Sequence, residues 1–170
     1  MPSRKVITRK SPTIRRVTKR QEHVRASPIP TASPVHESVR ILGIPASDTS
    51  TLIRRVREGF PVATVERLQQ AFALSADEVT TLVQIPARTM TRRKVSGRLK
   101  ADESDRVLRA VRLMHRATVL FNNDPAAAKT WMTTPQRGLG GAVPLQLAST
   151  EIGAREVEDA LGRIEDGVFA

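Results

Sequence analysis

Near Val39 the chain leaves an aperiodic stretch, and apolar residues begin to recur three and four positions apart, as they do along one side of an α-helix. Residues 51–58 predict a first helix, with Leu52, Ile53 and Val56 on one side. Gly59-Phe60-Pro61 ends it, since glycine suits a left-handed cap and proline the opening turn of the next segment. A second helix is predicted over 61–73 through Val65, Leu68 and Phe72. Ser75 and Glu78 form a capping-box pattern ahead of Val79, Leu82 and Val83. The run breaks at Gln84-Ile85, and Pro86 opens a helix over 86–95. The longest helix is predicted over 101–121, capped by Asp102, with Glu103 and Asp105 near its positive end. Val107, Ala110, Val111, Met114, Ala117, Thr118 and Phe121 share its apolar face, and Arg106, Arg109, Arg112 and Arg116 lie opposite. Asp124-Pro125 starts another helix, which carries Trp131. After a loop over 133–143 come a helical turn at 144–148 and a last helix over 155–165, with Val157, Ala160, Leu161 and Ile164 at core spacing. These periods predict an all-α fold.

Residues 1–35 do not share the pattern. They hold Pro2, Pro12, Pro28, Pro30 and Pro34 and bury too little apolar surface to offset chain entropy. A disordered arm is expected there. Charge sharpens the division. The 170 residues carry 28 Lys and Arg against 17 Asp and Glu, a net charge of +11. Residues 1–35 hold nine basic residues and one Glu, residues 36–100 eleven basic and six acidic, and residues 101–170 eight basic and ten acidic. The excess therefore lies in the first 100 residues, and nucleic acid is the first partner to consider. The arm itself suits DNA phosphate or a minor groove, a solvated tail, or a mitochondrial-type presequence, and its composition does not decide among them.

The absence of cysteine excludes a disulfide framework, thiolate zinc sites and a Cys nucleophile. The three His, at 23, 36 and 115, have no ligand-spaced companions, and nothing pairs a nucleophile with a base, so no enzyme, metal or cofactor is expected. No apolar run is long enough to cross a membrane, and the N-terminus lacks the apolar core of a secretory signal, which leaves the cytoplasm as the expected location. Gly138, Gly140 and Gly141 do not make a phosphate cradle, because no Lys-Ser/Thr follows them and no strand precedes them.

Residues 78–93 read as a helix-turn-helix, with Val79, Leu82, Val83, Ile85 and Met90 as the posts packing its two helices. Arg88, Thr89, Arg92 and Arg93 are placed on the outer face of the second helix. The candidate DNA contacts are Arg88, Thr89, Thr91, Arg92, Arg93 and Lys94. A basic, solvated helix in a domain without DNA contact is the competing reading. Two positions depart from the motif: Thr80 stands where Ala is usual, and Gln84 where Gly serves the turn. A non-glycine residue in a left-handed turn costs about 1 kcal/mol.

Leu120-Phe121, Ala128 with Trp131-Met132, Thr134-Pro135, Leu139-Gly140-Gly141, Pro144-Leu145, Gly153, Val157, Gly162-Arg163-Ile164 and Gly167-Val168-Phe169 follow in an order that resembles the toxin-binding domain of Xre/MbcA/ParS-type antitoxins. Upstream, Gly59-Phe60-Pro61, Arg88-Thr89 with Arg92-Arg93, and Glu103-Ser104-Asp105-Arg106 are similar to that family's Xre-like half. The resemblance spans about residues 40–170. It implies a DNA-binding and dimerising helix-turn-helix domain at 36–100 and a toxin-binding domain at 101–170, and the basic disordered arm at 1–35 lies outside it. It further implies a homodimer on operator DNA, and a cognate RES-domain toxin that destroys NAD and is blocked at its active site. Carried over, Trp131, Arg137, Leu139 and the tail Gly167-Val168-Phe169-Ala170 are the candidates for toxin contact or its support. Trp131 also suits the core, whereas the tail lies at a chain end, where burial requires docking. A helix-turn-helix regulator without a toxin partner is the alternative.

Overall fold

A computed structural model describes residues 34–45 and 48–167. The helices are α1 Pro34–Ile41, α2 Thr49–Glu58, α3 Ala63–Ala71, α4 Ala76–Val83, α5 Ala87–Ser96, α6 Ala101–Leu120, α7 Pro125–Thr133, α8 Pro144–Leu147 and α9 Glu151–Glu165. A single 3-10 turn, Arg137–Leu139, stands between α7 and α8. No strand occurs among the described residues. No helix there is long and apolar enough to cross a membrane. The expected arm lies almost wholly outside the described residues. Its last two positions, Pro34 and Val35, belong to α1, a helix the periodicity did not predict.

The described residues form one compact unit. Its spine is α6, which packs against α1, α2, α3, α4, α7 and α9. Val107, Val111, Leu113, Met114 and Ala117 of α6 are fully buried. They share one core with Val39 of α1, Leu42 in the turn after it, Leu68 of α3, Leu82 of α4, Met132 of α7 and Leu161 of α9. Each large side chain so buried contributes about 1.5–3 kcal/mol relative to exposure.

Local signals explain most helix ends. Asp48 caps α2 through the Thr51 amide at 2.8 Å, and Asp124 caps α7 through the Ala126 amide at 2.9 Å. The start of α6 differs from expectation. Lys100 occupies the capping position, and its backbone N–H donates to the Glu103 carboxylate at 2.7 Å. Asp102 instead lies inside the first turn, 3.2 Å from Arg106. The last helix starts a turn earlier than residue 155, because Thr150 accepts the Gly153 amide at 3.1 Å.

The connections around α3 and α5 are laced together. Leu99 N–H donates to the Phe60 carbonyl at 2.9 Å, and Phe60 N–H to the Ser104 hydroxyl at 2.8 Å. Gly59 makes this possible. It has φ +83, and a Cβ there would strike the Leu99 carbonyl.

Candidate functional site

The helix-turn-helix forms as the sequence predicts. Ser75 and Glu78 complete the capping box: the Glu78 amide reaches Ser75 Oγ at 3.1 Å and the Ser75 amide reaches Glu78 Oε2 at 2.6 Å. Gln84 adopts the left-handed turn that glycine usually serves, with φ 53 and ψ 42. Its side-chain amide donates to the Thr81 carbonyl at 2.6 Å, which closes the last turn of α4. Pro86 is the flanking residue, in extended conformation, and α5 starts one residue later.

On α5, Arg88 and Arg92 are exposed and one turn apart, and neither pairs with a carboxylate among the described residues. They are the free cations of this helix. Thr91 is exposed, but its hydroxyl donates to the Ala87 carbonyl at 3.1 Å. Lys94 is exposed and lies 3.2 Å from Glu66 of α3. Thr89 and Met90 are half-buried, and Met90 packs on the core.

Arg93 does not lie on the outer face. It is 9% exposed and grips Glu103 of α6 with two nearly parallel hydrogen bonds, Nε to Oε2 at 2.7 Å and Nη2 to Oε1 at 2.9 Å. A guanidinium turned inward onto a carboxylate is unavailable to a DNA phosphate, so Arg93 braces α5 against α6. Arg93 holds the Glu103 carboxyl below its ordinary value, with support from the Lys100 amide and against the opposing effect of burial. At the other end of the motif, burial works to raise Glu78, but the Ser75 amide and the Lys129 ammonium outweigh it and leave the group lowered. Lys129 belongs to α7. It lies 3.1 Å from Glu78 and donates to the Ala73 carbonyl at 2.6 Å. Arg106 of α6 donates to the Val83 carbonyl at 2.9 Å. Side chains from α6 and α7 thus hold both α4 and α5.

The arginine stripe of α6 is mostly committed. Arg109 meets Glu151 at 2.8 Å, Arg112 meets Glu158 at 3.3 Å and Arg116 meets Glu165 at 3.6 Å, all on α9. Arg109 is the main cause of a lowered Glu151. His115 stands 3.9 Å from Glu37, and no metal-ligating cluster exists among the described residues.

Three of the residues singled out for toxin contact come together. Trp131, Arg137 and Leu139 line one open cleft of about 410 Å³, with Phe121 at the end of α6 and Arg163 and Ile164 on α9. Trp131 is half-buried: it packs on the core and also faces the cleft, its ring 6.3 Å from that of Phe121. Gln136 sets the wall, its amide donating to the carbonyls of Trp131 at 2.9 Å and Thr134 at 3.0 Å. Arg163 donates to the Gly138 carbonyl at 3.2 Å and fastens the loop to α9. Sequence spacing did not single out Phe121, Arg163 or Ile164 as site residues, because only the folding of the loop onto α9 brings them in. Gly167 lies in the exposed turn after α9, and Val168, Phe169 and Ala170 are outside the described residues.

Comparison with known proteins bears on both halves. Residues 51–112 match the antitoxin Xre-like helix-turn-helix domain. Residues 116–167 match the antitoxin Xre/MbcA/ParS C-terminal toxin-binding domain. An antitoxin Xre of Yersinia enterocolitica is 40% identical over 132 residues, covering 77% of this chain and 89% of that protein. One from Photorhabdus laumondii is 38% identical with the same coverage. One from Pseudomonas putida is 31% identical over 114 residues, covering 66% of this chain and 70% of that protein. With matches to the helix-turn-helix domain and the toxin-binding domain, and relatives alike over most of their length, the chain belongs to the Xre/MbcA/ParS family of toxin–antitoxin antitoxins.

Proposed function

We propose that this antitoxin neutralises a RES-domain, NAD-destroying toxin in a cytoplasmic type II system and represses its own operon. In this reading residues 101–170 dock on the toxin and close its active site, with Trp131, Arg137, Leu139 and the tail 167–170 in or behind the contact. Residues 36–100 dimerise and set α5 in the major groove of operator DNA, and the arm 1–35 rests on phosphate. The observation that carries the reading is the convergence of Trp131, Arg137 and Leu139 on one cleft within the stretch that matches a toxin-binding domain.

Co-expression with the product of the neighbouring gene, expected to be a RES-domain protein, tests the partner. Co-purification and restored growth are expected, and separate elution with continued toxicity would leave a regulator without this toxin. On the DNA side, Arg88→Ala with Arg92→Ala should lose about 1–3 kcal/mol of operator binding per base contact removed, read by fluorescence anisotropy. Unchanged affinity would remove α5 as the reader. A chain starting at Pro34, which spares α1, should show a shallower salt dependence of binding if the arm touches phosphate.

A further inference from the structure

The Lys and Arg residues of 101–170 separate cleanly by partner. Arg106, Arg109, Arg112, Arg116, Lys129 and Arg155 each lie within 4.0 Å of a carboxylate. Arg137 and Arg163 pair with none among the described residues. These two stand together at the cleft, and no Asp or Glu lines it. The rest of the lining is largely apolar and includes Phe121, Trp131, Leu139 and Ile164. Arg163 uses one donor on the Gly138 carbonyl, and a guanidinium has five.

We propose that this cleft is a two-part receptor for one segment of the toxin: a large apolar side chain seated on Trp131 and Leu139, and an adjacent carboxylate held by Arg137 and Arg163. The inference rests on the toxin-neutralising reading and specifies its chemistry. Charge complementarity selects the occupant. In a half of the protein that otherwise matches cation to anion internally, the unmatched pair marks where an outside anion belongs. An apolar side chain seated on that floor displaces water beside the pair, which strengthens a charge-assisted bond there. The volume, about 410 Å³, is sufficient for a large apolar side chain with a carboxylate beside it. Gln136 and Arg163 hold the walls in place before any partner arrives, so little ordering cost remains for binding.

The experiment uses the full chain and a RES-domain toxin that co-purifies with it, with affinity measured by biolayer interferometry at two salt concentrations. Arg137→Glu with Arg163→Glu should weaken binding by about tenfold or more and flatten its salt dependence. Leu139→Trp fills the cleft and should weaken binding comparably without altering salt dependence. Arg137→Glu alone, at an exposed position, serves where the other variants fold poorly, and should weaken binding in the same direction. Far-ultraviolet circular dichroism and operator binding report whether each variant is intact. Reversal of a single toxin Asp or Glu to Arg should restore affinity for the double-Glu variant. Intact variants that bind within threefold of the parent overturn the receptor, while a parent chain that binds no RES-domain protein overturns the toxin assignment beneath it.

Discussion

Arg92 and Arg93 are neighbours in the chain with different surroundings: one stands free in solvent, while the other is locked to Glu103 across the turn that joins α5 to α6. Removing one member of such a buried pair strands the other, so Arg93→Ala should cost about 3–5 kcal/mol in urea unfolding. Arg92→Ala should change stability by less than about 0.5 kcal/mol. The same pair makes stability pH-dependent. Glu103 is lowered in the folded protein, first by its bond to Arg93, so its contribution is complete above the ordinary carboxylate value of 4.5 and fades as pH falls below it. Unfolding midpoints between pH 5 and pH 3 should drop more for the parent than for Glu103→Gln. The sequence showed Arg93 as one more cation on a basic helix, because a ten-residue amphipathic pattern leaves its edge positions ambiguous and the partner lies ten residues on. Gln84 was more legible: its place in the motif marked the turn, and a bond to the Thr81 carbonyl accompanies its left-handed geometry.

Helix ends follow from chemistry that a sequence shows unevenly. Asp48, Ser75 and Asp124 carry familiar capping signals. The caps at Lys100 and Thr150 were hidden, the first because Glu103 satisfies the helix start from within, the second because Thr150 precedes a glycine-containing first turn. α1 was missed since its opening residue, Pro34, reads as the last of a proline-rich stretch, although proline fits a first helical position well. Between elements, Gly59 governs how α2 turns into α3 alongside the α5–α6 connection. Gly59→Ala should destabilise by about 2 kcal/mol or more, combining a left-handed φ with a clash on the Leu99 carbonyl. Calorimetry of the variant checks this, and a loss under about 0.5 kcal/mol would mean that the two connections separate readily.

At the scale of the molecule, the charge divides unequally between surface and interior pairing. Residues 101–170 spend most of their cations on α9 and α4, while α5 keeps Arg88 and Arg92 outward. The core is continuous through α6, so unfolding should be a single transition followed alike by Trp131 fluorescence and by circular dichroism. Met114→Ala, at the fully buried centre, should lower that transition by about 2–5 kcal/mol with both probes still coincident. Two separated transitions would break the picture of one core. The family's modular order was readable from motif spacing, but the sharing of α6 was not, because no local pattern says how many neighbours a helix will have. That sharing bears on how such proteins change over generations. A recombination joint placed ahead of Ala101 would deliver a foreign α6 to helices α1 to α4 that had not adapted to it. Exchange of partner specificity should therefore proceed by substitutions around the cleft, with the spine inherited whole.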